Sequence, residues 1–324
     1  MTPAATVARA PNGKRGRVTH ETASVPATMC AVRLHAADGL ESLVCEQVPT
    51  PRPAAGEALV RVHAAAITRD ELEWPVDRLP AIPSYELSGV VAAVGPDGDA
   101  SLVGEAVFAF TPFDRDGAAA DYAIVPSGLL APKPQRLGDV EAAAVPLAAL
   151  SAWQGLFEHG RLAPGQRVLI HGATGGVGHF ATQLAHERGA HVIATVSSQN
   201  VDAARALGAD EVIDHTNARF EDAGAVDLVF DTAGGERLQR SPAVLREGGR
   251  LVSVAEETPA GGIYFVVEPN REQLVEVSKL VDAGALRPAL DEVFALPDAR
   301  AAFERSTARG TRGKIVLTVT SEGS

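Results

Sequence analysis

The stretch HGATGGVGHFATQLA, residues 171–185, sets glycines at 172, 175, 176 and 178 between the apolar run RVLI and a helical pattern. Read as A-x-G-x-x-G, its fixed positions are Ala173, Gly175 and Gly178, with Thr174, Gly176 and Val177 between them. Gly175 leaves the backbone open to a pyrophosphate, because no Cβ stands in the way, and Gly178 lets the next helix pack closely on the sheet. The helix start presents free N–H groups and a positive dipole end to the anion. In this strand–turn–helix context the chemistry is dinucleotide binding rather than a bare tight turn.

A site for NAD places an acid about 20 residues beyond the glycines, on the ribose 2′-hydroxyl. That segment here is ATVSSQN, and Asp202 already lies inside the next helical pattern. Small hydroxyls leave room for a 2′-phosphate, which Ser197, Ser198, Asn200 and Arg205 would hold, so the ribose rule favours NADPH. Two further strand ends carry cofactor candidates, Asp231, Thr232 and Gly234 on one and Ser253, Val254 and Ala255 on the other. Doubly wound sheets bind ligands at such carboxyl ends.

The elements that must position these residues follow from the pattern. From CAVRLHA onward, short alternating strands are separated by Gly/Pro turns, as in EALVRVHAAAI, where Val60, Val62 and Ala64 fall on one face. This part reads as an antiparallel, barrel-like β domain. Near Val145 the style changes to strands alternating with helices, which implies βαβ units and a parallel sheet. LAALSAWQGLFEHG reads as one helix ending at Gly160, and the glycine helix turns Val177, Phe180, Ala181 and Leu184 to one side. Short strands return from about Leu286. The expected fold is α/β, with residues 29–147 and 286–324 forming the β-barrel domain around an inserted Rossmann domain at 148–285.

Composition narrows the class. A chain of 324 residues is long for one core, and its formal charge of −12 is spread along it. Nucleic-acid surfaces need a basic stripe, so that partner is not expected. No long uninterrupted apolar run suggests a membrane span. Two cysteines, Cys30 and Cys45, exclude both a disulfide framework and a four-cysteine zinc site. Residues 1–28 are polar and broken by proline, so they read as a disordered N-terminal extension and not a secretory signal. A cytoplasmic location is the corresponding expectation. No G-x-S-x-G elbow points to a hydrolase.

With AxxGxxG, LGADEVID, FDTAGG and a terminal RGKIVL in place, the chain closely resembles the medium-chain dehydrogenase/reductase superfamily, from Met29 to about Val319. Within it the chain is similar to the zinc-free quinone oxidoreductase (zeta-crystallin-like) branch. The resemblance implies a GroES-like β-barrel catalytic domain plus a doubly wound Rossmann domain. It places Thr68 where zinc alcohol dehydrogenases have a catalytic cysteine, and Tyr85, before Glu86, where they have a ligand histidine, so no metal is expected. Thr68 and Tyr85 thereby become the catalytic candidates. Glu71 stands where relatives carry an aspartate and reads as structural. By family position Ser151 approaches the nicotinamide, His215 the adenosine, Phe265, Val266 and Val267 wall the nicotinamide, and Gly313 and Lys314 close the pocket. Of the other histidines, His63 reads as core or rim, His171 as packing near the cofactor, and His179 as a surface residue or a pyrophosphate neighbour. The implied activity is NADPH-dependent hydride transfer to a small-molecule quinone or α,β-unsaturated carbonyl, in a homodimer joined by a Rossmann sheet edge around GRLVSVA. A tailoring enoyl reductase of secondary metabolism is a narrower version. A non-redox NADPH-binding protein, or a lyase or cyclase on the same scaffold, is the alternative.

Overall fold

The computed structural model describes residues 25–37, 39–74, 78–259, 261–308 and 310–319. The expected extension lies outside the described residues as far as residue 24. Among the described residues the first regular element is the strand Thr28–Leu34, so Thr28 belongs to the fold and not to the extension. Among the described residues no helix is long and apolar enough to cross a membrane.

Thr28–Leu34 pairs antiparallel with Leu43–Pro49 as a two-stranded ribbon. The next sheet runs in the order Leu290–Ala295, Lys314–Thr318, Glu57–Ile67, Glu86–Val94, Ala106–Phe110 and Ala131–Pro132, and Tyr122–Pro126 also pairs with Glu57–Ile67. One of its pairings is parallel, Leu290–Ala295 with Lys314–Thr318, where an all-antiparallel domain was expected. The helix Ala299–Thr307 lies between those two strands, and a helical crossover returns the chain in the same direction.

Glu57–Ile67 also departs from simple alternation. Its register shifts between Val62 and Ala64. This bulge inserts a residue and exchanges the faces beyond it. Val60, Val62, Ala65 and Ile67 therefore share one core, while Ala64 and Ala66 turn to a second one with Ala143, Ala144 and Val316.

The second sheet is wholly parallel, in the order Glu211–Asp214, His191–Val196, Arg167–His171, Val226–Asp231, Leu245–Ser253 and Ile263–Tyr264. By sequence order this is 3-2-1-4-5-6, the dinucleotide-binding arrangement with its crevice where the order reverses. Val168, Leu169 and Ile170 are all buried, as a strand covered on both faces requires. The helix Gly178–Glu187 buries every residue from Gly178 to Ala185, not only the stripe read from the sequence, because the helix Pro146–Trp153 packs on it as well as the sheet. Pro146–Trp153 opens with proline in its first turn and passes into a π-helical turn, Gln154–His159. There Gly155 lies so close to Phe230 that a Cβ would stand 2.3 Å from its ring.

Between the two parts runs a short seam. Gln183 donates to the Arg287 carbonyl at 3.0 Å and accepts from the Arg287 N–H at 3.1 Å. The N–H of Gly313 reaches the Thr174 carbonyl at 3.0 Å, and within the barrel part that of Lys314 reaches the Ala289 carbonyl at 2.8 Å. The glycine loop is thus tied directly to the strand that carries Lys314.

Candidate cofactor and acceptor site

The glycine loop has the shape of an anion cradle. Gly172 sits at φ +70°, a conformation that favours glycine, and a Cβ on Gly178 would lie 2.0 Å from its carbonyl oxygen. Gly178 therefore sets how near the helix starts to the strand end. A Cβ on Gly176 would meet Lys314 Cδ at 3.3 Å. The N–H groups of Gly176 and Val177 have no acceptor among the described residues, and N–H groups at a helix start can bind an anion. Ala173 and Thr174 line the turn, both buried.

His179 holds this loop in place. It is fully buried, against the surface reading, and accepts from the Ala289 N–H at Nε2 (3.1 Å). Nδ1 must then carry the proton, which it donates to the Gly175 carbonyl at 2.9 Å. Burial pushes its pKa down to about 4, with the Lys314 charge adding to the effect, so the ring is a neutral clasp. His171 is likewise neutral, pushed down to about 3 mainly by burial, and is bonded to Thr195 and Ser241 inside the sheet.

At the ribose end, Ser197, Ser198 and Asn200 do come together after the strand His191–Val196, and Asn200 Nδ2 donates to Ser197 Oγ at 3.2 Å. The segment is not free of acid, however. Asp214, from the neighbouring strand, accepts Ser198 Oγ at 2.7 Å, together with Thr216 and Asn217. These donors hold its carboxyl well below the usual range. A parallel sheet places the ends of adjacent strands side by side, so an acid distant in sequence reaches the spot. Arg205 is turned to Asp202 at 3.4 Å and makes no described contact with the serines.

The cation that sequence reasoning missed is Arg237. Its charge helps to lower the pKa of both His171 and His215, and its buried Nε has no hydrogen-bond partner among the described residues. The only available signal was its place in the helix after the fourth Rossmann strand. At the adjoining strand ends, Thr232 Oγ1 donates to the His171 carbonyl at 2.7 Å. Ser253 Oγ donates to Asp231 and accepts from the Ala255 N–H. Ser151 is a buried residue whose hydroxyl is spent on the Leu147 carbonyl. Phe265 lies against the His159 ring, and Phe265 and Val267 are both almost buried.

Across the crevice a second cluster forms. Lys314 Nζ lies 2.5 Å from Glu86 Oε1 and donates to Thr68 Oγ1 at 3.3 Å. Lys314 is 4 % exposed and Glu86 not at all. Glu86 Oε2 accepts the Leu147 N–H in the first turn of the helix Pro146–Trp153, where a carboxylate also suits the dipole. Burial raises the Glu86 pKa, and Lys314 opposes the rise. Glu71 is buried too and binds the N–H groups of Thr68 (2.9 Å) and Ser84, fixing both loops. Burial pushes its pKa up to about 7 against those two bonds and Lys314. Tyr85 is 6 % exposed, with its ring packed on Trp74 and Phe113, while its carbonyl accepts from Thr111. His63 is bonded to Asp139 at 2.9 Å at the edge of the barrel.

With this geometry in view, two family models match the chain, "Alcohol dehydrogenase GroES-like domain" over residues 54–135 and "Zinc-binding dehydrogenase" over residues 207–317. Among the relatives is a probable zinc-binding oxidoreductase, mitochondrial, of Arthroderma benhamiae, 32 % identical over 86 % of this chain and 93 % of its own length. Another is an NADPH-dependent alkenal/one oxidoreductase, chloroplastic, of Arabidopsis thaliana, 31 % identical over 91 % of this chain and 81 % of its own. The solved quinone oxidoreductase of Coxiella burnetii superposes with a TM-score of 0.85, at 30 % identity over 90 % of this chain and 100 % of that one. The chain is an oxidoreductase of the medium-chain dehydrogenase/reductase superfamily.

The second family model's description implies zinc, and the residues here do not fit it. Thr68 and Tyr85 offer neither thiolate nor imidazole. Among the described residues no three His, Cys, Asp or Glu side chains converge as a metal site.

Proposed function

We propose that this protein is an NADPH-dependent reductase of quinones or α,β-unsaturated carbonyls that works without a metal ion. The observation that carries the reading is the chain Thr68–Lys314–Glu86, in which a half-buried hydroxyl is backed by two buried side chains, with the Lys314 stem against the cofactor loop at Gly176. When bound, NADPH supplies the hydride equivalent. The Gly176 and Val177 N–H groups hold its pyrophosphate, and Ser197 and Asn200 face the ribose end. Arg237, rather than Arg205, supplies the positive charge there. The four donors on Asp214 satisfy its carboxylate and lessen its conflict with a 2′-phosphate.

Thr68 Oγ1 accepts from Lys314, so its own proton is left to donate to an acceptor oxygen in the crevice. Negative charge grows on that oxygen as the conjugated system is reduced, and a donor backed by a buried ammonium stabilises it. Glu86 pairs with Lys314 and holds it in place, and Glu71 fixes the Thr68 backbone. Tyr85, Trp74 and Phe113 form an aromatic cluster, Phe113 edge-on to the other two rings, that would back a conjugated acceptor. Among the described residues the Rossmann sheet ends at Ile263–Tyr264, which leaves the start of Leu245–Ser253 unpaired on that side, and this margin is where a second copy would add. It lies at the strand end of GRLVSVA, and Tyr264 and Val266 are exposed beside it.

The test is cofactor consumption with a panel of enones and quinones, run with NADPH and with NADH. Turnover with NADPH and a weaker response to NADH are expected. Tight NADPH binding with no acceptor turned over would instead support a non-redox protein.

A further inference from the structure

The chain's two cysteines, at positions 30 and 45, contribute nothing to the site described above. They lie on the two strands of the ribbon, where Cys30 faces Gln47 and Val32 faces Cys45. The thiols are therefore diagonal neighbours. A two-stranded ribbon twists strongly, and the twist brings one diagonal together. The two sulfur atoms are 2.9 Å apart, and both residues are only partly buried, within reach of a small solute.

The backbone around Cys30 is pinned. Its N–H donates to Asp121 Oδ2 at 2.7 Å, and its carbonyl accepts the Asp121 N–H at 3.0 Å. Two places further along the strand, the Val32 N–H bonds the Ala119 carbonyl at 2.8 Å. Cys45 is fixed by the ladder to Val32. Neither residue needs to move far for a sulfur–sulfur bond to form.

We propose that Cys30 and Cys45 are a reversible dithiol–disulfide site, oxidised by hydroperoxides and independent of the reductase reading. Burial and the neighbouring Cys30 push the Cys45 thiol up to about 12, and in the proposed order Cys30 is the sulfur that attacks first, with Cys45 resolving. The Cys30 sulfur, as thiolate, attacks the outer oxygen of the hydroperoxide. The O–O bond breaks, and the alcohol (water, for hydrogen peroxide) leaves with a proton. Cys30 is then a sulfenic acid. The Cys45 sulfur attacks it, the S–S bond forms, the S–O bond breaks, and hydroxide leaves with the Cys45 proton as water. Two thiols are oxidised by two electrons and one hydroperoxide is reduced. A small thiol reverses the change by exchange.

The experiment takes the full-length reduced protein, adds one equivalent of hydrogen peroxide, and follows denatured thiol titration, intact mass and a non-reducing peptide map. Both thiols are expected to disappear together, with loss of two hydrogens, a single Cys30–Cys45 cross-linked peptide, and full recovery in dithiothreitol. In Cys45→Ser, a sulfenic acid on Cys30 should be trapped by dimedone. In Cys30→Ser, the remaining thiol should be consumed about tenfold more slowly. Two thiols persisting, a sulfinic acid on Cys30 beside an intact Cys45, or disulfide-linked dimers would each overturn the proposal. The wild-type measurement needs no variant to fold.

Discussion

Lys314 is the residue at which cofactor loop, acceptor wall and barrel meet. Replacing it by Met removes the charge behind the Thr68 hydroxyl and leaves Glu86 buried without its partner. We expect kcat to fall about 100-fold, with the NADPH Kd changed far less, whereas Lys314→Arg recovers part of the rate. Stopped-flow hydride transfer together with NADPH titration checks this, and equal losses in both variants would assign Lys314 to folding alone. Glu71 makes a prediction about stability. Its folded pKa is raised from 4.5 to about 7, so between these values the native state holds more protons than the unfolded one. Glu71 thus contributes a stability that falls as pH rises from about 4.5 to about 7. Denaturant unfolding of Glu71→Gln across that range should show a flatter profile than the wild type. The sequence displayed Thr68 and Lys314 through family motifs, and Glu71 as structural. It did not show that one ammonium joins Glu86 and Thr68, because no local spacing encodes a contact between distant strands.

At the scale of elements, the strand–loop–helix unit around Gly172–Gly178 was legible because its signal is local, with apolar strand, glycines and helical period in direct succession. Its tightness gives unequal predictions for neighbouring glycines. Gly178→Ala drives a methyl into the Gly172 carbonyl at 2.0 Å and must displace the helix, costing about 2 kcal/mol or more and weakening NADPH binding. Gly176→Ala meets only the stem of Lys314 at 3.3 Å, a flexible chain that can give way, and should be milder in both thermal melting and cofactor titration. Equal effects would contradict the cradle geometry. Other element-level features were not legible. The bulge beyond Val62 and the π-turn at Gln154–His159 answer to what packs on them, a helix in one case and the Phe230 ring in the other. The Asp214 carboxylate reached Ser198 by strand adjacency, which counting along the chain cannot register.

For the whole molecule, the change from short alternating strands to βαβ units, and back again, was enough to read a two-part fold with the parallel sheet inserted. The seam was not readable in the same way, since the helix Pro146–Trp153 begins on Glu86 of the barrel and ends packed in the Rossmann layer. The free margin of the parallel sheet carries a prediction of assembly. Tyr264→Asp should convert a dimer to a monomer in light scattering, and an unchanged mass would place the interface elsewhere. The central claim, however, is reduction by NADPH without a metal. Its most direct test is the stoichiometry of NADPH oxidation against enone or quinone reduction in protein stripped of metal by a chelator. The account predicts one acceptor reduced per NADPH consumed, at a rate unchanged by the chelator and by added zinc. Activity that vanishes on stripping and returns only with zinc would contradict it.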